Sequence, residues 1–227
     1  MRIAKIAAAL IGPLLSALAG AQAPGMPDKT RDNFMVVVRE SGGANRAEDA
    51  LTPTGKMKAV VDGREIEFEM ASWEFIGDTH IRFVFDGPQF MVNATPQDLE
   101  QLGLKGVDEA LALAIANIKR VYGEPKATPW AGGAMTVEGK SPDLNSSYFL
   151  DRAYWQGLLK THPEGVVVCV AKRGGLLYVP LSDSAAVERL KRGVANLYAS
   201  SGRLRVSSAL FLFKDGKWSV FQAPAAR

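Results

Sequence analysis

Apolar residues fall into two periods along this chain, and the periods sort it into strands and helices. Residues 34–39 (FMVVVR), 81–85 (IRFVF) and 165–171 (GVVVCVA) are near-continuous apolar runs, the pattern of strands covered on both faces. Ile66, Phe68 and Met70 instead alternate with Glu65, Glu67 and Glu69, as a strand with one wet face does. Asp62-Gly63 supplies the positive-φ residues of a tight hairpin, so residues 56–70 read as two strands. Asp215-Gly216 does the same for 209–221. Helical spacing appears at Val107, Leu111, Ile115, Ile118 and Tyr122, which predicts a helix over 107–122 stopped by Gly123 and Pro125. A shorter helix precedes it, with Thr95 as N-cap, Pro96 in the first turn and Gly103 at the end.

The densest pattern lies in residues 146–198. It predicts a strand at 148–150, a helix capped by Asp151 with Trp155, Leu158 and Leu159 turned inward, and the strand 165–171. A Gly174-Gly175 turn, a strand at 176–180 and a long helix follow. Ser182 or Asp183 caps that helix. Val187, Leu190, Val194, Leu197 and Tyr198 form its apolar face, and Glu188, Arg189, Lys191 and Arg192 its wet one. The expected fold class is α+β, with antiparallel sheet segments built as hairpins and packed against about four helices. An N-terminal half (34–126) and a C-terminal half (146–227) meet across a Pro/Gly-rich loop at 127–145, as one compact domain or two closely packed subdomains.

Composition fits a globular protein: 227 residues, 47% hydrophobic and 22% charged, enough to bury a core without staples. The formal charge is +3, but its origin is local. Residues 1–21 (MRIAKIAAALIGPLLSALAGA) carry Arg2 and Lys5, then an uncharged apolar run, then small residues, the pattern of a secretory signal peptide cut after Ala21. Residues 22–33 read as a flexible leader. Without Arg2 and Lys5 the 27 basic residues fall to 25, against 24 acidic ones. The expected destination is the bacterial periplasm or the exterior, with membrane contact only through the uncleaved signal. The chain shows no cluster of Lys and Arg, so no nucleic-acid partner is expected. An unknown protein or a small ligand is the expected partner.

Candidate chemistry is sparse. One cysteine excludes an intrachain disulfide, and Cys169, between valines in VVVCVA, reads as a buried structural thiol. His162 precedes Pro163 where a helix ends and reads as a capping residue. Asp78 and His80, two residues apart, with Asp86 further along, are the best metal-ligand set, and turn residues before a strand explain them equally simply. They carry an alternative reading as a metal-dependent hydrolase. The Glu65, Glu67 and Glu69 row, spaced about 6.6 Å apart, reads as a solvated strand face. No G-x-S-x-G elbow or phosphate-binding glycine loop occurs, and no cofactor is implied. Among the aromatics, Trp130 sits in a Pro/Gly loop and is the candidate for an exposed ligand contact. Any site is expected in the 40–55 loop, the 78–86 region or the 127–142 loop. The leading reading is a non-catalytic binding or accessory module.

Four runs carry a family resemblance: TPQDLEQLGLKGVDEALALAIANIKR, SSYFLDRAYWQGLL, LLYVPLSDSAAVERLKRGVANLY and LFLFKDGKWSVF. In this order and spacing, over residues 95–221, the chain resembles the YtpQ-like family of uncharacterised bacterial proteins. The resemblance implies an α+β fold and brings no activity and no catalytic residue. The members are mainly cytosolic, so the signal peptide is a departure from their pattern.

Overall fold

The computed structural model describes residues 26–61 and 63–225. The expected signal peptide and residues 22–25 of the leader lie outside the described residues. Two antiparallel sheets and four α-helices make up the body, so the fold is α+β. The first sheet contains β1 (Phe34–Glu40), β2 (Thr52–Pro53), β5 (Ser72–Glu74), β6 (Thr79–Phe85) and β7 (Val92–Asn93). The ribbon β3 (Lys56–Val61) and β4 (Arg64–Glu69) interrupts it as a separate two-stranded sheet. Helices α1 (Pro96–Gln101) and α2 (Val107–Tyr122) follow. The second sheet runs in the order β13-β12-β10-β11-β9-β8. Its strands are β8 (Lys126–Pro129), β9 (Met135–Glu138), β10 (Val166–Lys172), β11 (Gly175–Pro180), β12 (Leu210–Lys214) and β13 (Lys217–Gln222). Helix α3 (Arg152–Leu158) precedes β10, and α4 (Ser184–Ser200) follows β11.

Burial on two faces explains the apolar runs. Along β10, Val166, Val168 and Val170 enter a core shared with the first sheet, while Val167, Cys169 and Ala171 pack under α4 beside Ala186, Val187, Leu190 and Val194. β11 alternates likewise: Leu176 and Tyr178 join the shared core, Leu177 and Val179 the α4 side. The shared core draws on Phe34 and Phe83 as well as Phe211 and Trp218, so the two halves bury one apolar interior.

Three expectations are corrected. Residues 148–150 are not a strand. They end a 3-10 stretch, Pro142–Leu150, buried from Leu144 onward. Its side chains serve neighbouring backbone: Ser147 Oγ donates to Val36 O at 2.7 Å, Asn145 Oδ1 accepts from Gly139 N–H at 2.9 Å, and Tyr148 OH donates to Gly123 O at 2.7 Å. Trp155 Nε1–H turns back to the carbonyls of Tyr148 (2.9 Å) and Phe149 (3.1 Å). Those tertiary partners, invisible in a local pattern, select the tighter helix. Second, the 127–145 segment, expected as a loop with a short strand near 135–137, holds that strand as β9 and also most of β8, which extend the second sheet. Third, the leader is tied down from Lys29: its ammonium bonds Asp98 at 2.8 Å, and Asn33 Nδ2 donates to Asp86 O at 2.9 Å.

The sheets also touch at Gly77. Its φ is +63°, and a Cβ there would lie 2.7 Å from the Phe211 ring. Gly43 has a similar φ of +80° with nothing within 4 Å. Gly77→Ala is therefore expected to cost about 1–3 kcal/mol in a denaturant melt, through strain plus overpacking. Gly43→Ala meets only the strain and should cost clearly less. Equal losses would contradict the Gly77–Phe211 coupling.

Candidate functional site

Antiparallel register places opposite residues on one face of a sheet. Arg39 pairs with His80 and His80 with Glu74; one row along, Val37 pairs with Arg82 and Arg82 with Ser72. Arg39, His80 and Arg82 thus share a face at the edge of the first sheet. Opposite them stand Arg173, from the β10–β11 turn, and Arg203 and Arg205, just after α4. These residues, with Glu40 and Gly202, line an open cleft of about 530 Å³ between the sheets.

Backbone contacts fix the second wall. Arg173 N–H donates to Leu204 O at 2.9 Å, and Ser146 N–H donates to Arg173 O at 3.1 Å. An isolated bridge joins Lys172 and Arg205. Glu40 accepts from Tyr198 OH and pairs with Arg205 Nε at 3.5 Å. Arg205 also lies over the Tyr198 ring, 5.4 Å from its centroid. Glu40 is therefore committed to the rim. Arg39, Arg82 and Arg173, each half-buried, form no salt bridge among the described residues. Arg39 Nη1 donates to Val38 O at 2.8 Å, and the buried Arg173 Nε has no hydrogen-bond partner among the described residues.

Crowded cations raise the cost of charge. Burial first, then Arg173 and Arg82, hold Arg39 down to about 10, with Asp143 opposing. Burial and Arg173 also lower Arg82. His80 is 7% exposed, and burial, then Arg82 and Arg39, lower it to about 4. It is neutral at pH 7. Its Nε2 accepts from Arg82 Nε–H at 2.8 Å, so the proton sits on Nδ1, 3.3 Å from Ser41 Oγ. Ser41 Oγ in turn donates to Glu74 at 2.7 Å. This chain orients Arg82. A histidine whose basic nitrogen is occupied is a poor general base, so the geometry suits binding better than proton transfer.

The expected site residues are dispersed. Asp78 is buried and accepts from Ser207 Oγ, tying the first sheet to the second. His80 faces arginines, which disfavour a cation. Asp86 lies past the other end of β6, a strand of 7 residues and roughly 24 Å long, and accepts from Tyr122 OH. Asp78, His80 and Asp86 therefore do not form a metal site, and no cluster of metal-ligating residues occurs among the described residues. Cys169 is buried under α4 with its thiol pushed up to about 12 by burial, and is inert. His162 N–H donates to Leu158 O at 2.9 Å at the end of α3, and its ring lies 6.3 Å from that of Tyr178. Trp130 is 45% exposed and rims a different cavity. The acid row is solvated and partnered, with Glu65 on Lys58 at 2.7 Å and Glu67 on Lys56 at 3.1 Å. Among the described residues no helix is long and apolar enough to cross a membrane.

The cleft arginines come from segments too far apart in sequence to register as a cluster. One local signal was available: Arg82 interrupts the apolar run IRFVF, where a buried cation needs a reason. No family model, curated protein or solved structure matches the chain.

His80 gives a sign-determined pH effect. Its folded pKa lies below the unfolded 6.5, so between pH 6.5 and about 4 the unfolded chain binds the extra proton. Stability falls as pH drops through that window, by up to about 3 kcal/mol. His80→Gln removes this term, so its melting temperature should lose less between pH 7 and pH 4.5 than the wild type's. Parallel curves would show that His80 does not titrate there.

Proposed function

We propose that this chain is an exported, non-catalytic binding module whose ligand is a compact anion carrying more than one negative charge, seated in the inter-sheet cleft. One observation carries the reading: Arg39, Arg82 and Arg173 converge, half-buried, without a salt-bridged acid among the described residues. An arrangement whose half-buried cations oppose one another is relieved when an anion enters. All the cleft cations are arginines, whose planar forks bind phosphate or carboxylate bidentately. The lining offers no Phe, Tyr or Trp face for a base to stack on, which favours recognition by charge over recognition of nucleic-acid bases. Export rests on the N-terminal pattern.

Tripolyphosphate is a suitable probe. At constant ionic strength it should raise the melting temperature in a concentration-dependent way, because it binds only the folded state. Arg82→Gln and Arg173→Gln relieve repulsion, so the free variants should melt no lower than the wild type. Both should weaken tripolyphosphate binding at least tenfold by calorimetry. A rise equal in wild type and variants, or absent from all three, sinks the proposal.

A further inference from the structure

The cleft has a neighbour across one short ridge. Residues 172–175 and 201–205 form the ridge, and its residues divide between the two sides. Arg173, Gly202, Arg203 and Arg205 line the cleft; Lys172, Gly174, Ser201 and Leu204 line a second cavity of about 350 Å³. Cys169, Ala171 and Leu177 of the sheet and Leu197 of α4 complete its apolar part. The cavity exists because the side chains shrink. On β10 the α4-facing series runs Val167, Cys169, Ala171, the following turn is Gly174-Gly175, and α4 ends in Ser200. Interiors are otherwise close-packed, so space of this size under a helix needs an occupant or a reason. Two large apolar side chains stand at its edge, Trp130 at 45% and Leu204 at 50% exposure. The crest between cavity and cleft is bare at Gly202, where a Cβ would meet nothing within 4 Å.

We propose that cleft and cavity together form one site for an amphiphilic anion: a phosphate or carboxylate head on Arg39, Arg82 and Arg173, and a single alkyl chain laid over Gly202 into the cavity beneath α4. The proposal rests on the anion-binding reading and adds the apolar half of the ligand. Charge complementarity fixes which end goes where. The cavity's size falls within the roughly 300–1,000 Å³ of small-ligand sites. Lys172 and Glu138 bring one charge of each sign to its lining, so the net positive charge that selects the head lies in the cleft.

The test titrates the full chain with inorganic phosphate and with butyl, octyl and dodecyl phosphate as monomers, by calorimetry and tryptophan fluorescence. Affinity should rise about three- to fourfold per added methylene until the cavity fills. Trp130 emission, identified by its loss in Trp130→Phe, should respond to the chain and not to inorganic phosphate. Ala171→Leu should keep phosphate binding and lose most of the chain-length increment. Leu204→Gln, at an exposed position that folding tolerates, should shrink the increment several-fold. Phosphate binding with no dependence on chain length overturns the amphiphile and leaves the anion reading standing. No binding of any phosphate overturns both. Co-sedimentation with phosphatidic acid vesicles without monomer binding assigns the head to a membrane surface and overturns the use of the cavity.

Discussion

Pro142–Leu150 is a length of backbone buried between two sheets, and buried backbone must have its polar groups satisfied. No sheet ladder does so here. Trp155 Nε1–H covers two of the carbonyls, and Ser147, Asn145 and Tyr148 reach out to backbone groups of β1, the β9 exit and the α2 exit. Around this segment the aromatic core assembles. The Phe149 ring lies 5.8 Å from Phe75, 5.0 Å from Phe211 and 4.4 Å from Trp218, so one side chain touches both sheets. The mutual position of the sheets follows from that contact, and with it the distance between the arginines that each contributes to the cleft.

The cleft is the place where the molecule accepts an unfavourable arrangement. Neutral His80 sits between Arg39 and Arg82, and Arg173 lowers the proton affinity of both these arginines. Ordinary surfaces intersperse the two signs, as the β3–β4 ribbon does with its Lys–Glu pairs. Local strain retained against stability is what a binding site is expected to show. Of the carboxylates nearby, Glu40 is held by Tyr198 and Arg205 and Glu74 by Ser41, while Asp143 partly offsets the charge on Arg39.

The two candidate cavities share one structural cause. β10 and α4 end beside both cavities, where the β10–β11 turn and residues 201–205 close the end with short segments. The ridge that results presents arginines to one side and apolar or small residues to the other. That division is made by the β10–β11 turn and the 3-10 turn Gly202–Leu204, which carry some side chains to the cleft and others to the cavity.

Much of the fold was legible in the sequence. The helix over 107–122, the caps Thr95, Asp151 and Asp183, the pairing of β3 with β4, the hairpin at Asp215-Gly216, and the double burial of VVVCVA all stand in the structure. These depend on neighbours within a few residues or on burial that apolar content itself implies. The site was not legible. Asp78, His80 and Asp86 are close in sequence and point to separate partners, whereas Arg39, Arg82, Arg173 and Arg205 are distant in sequence and meet. The strand expected at 148–150 failed for the same reason, since the carbonyls of Tyr148 and Phe149 are taken by Trp155 of α3 and the side chain of neighbouring Ser147 reaches β1. By itself the sequence determined the long helices, most of the paired strands and the buried faces of β10 and α4, because propensity and periodicity act locally. It did not foresee the 3-10 stretch, β8, or the exposure of β4 along its whole length. Only the tertiary structure decided which charges converge, because convergence depends on sheet order and register, and those are set by the packing of Phe149 and its neighbours across the core.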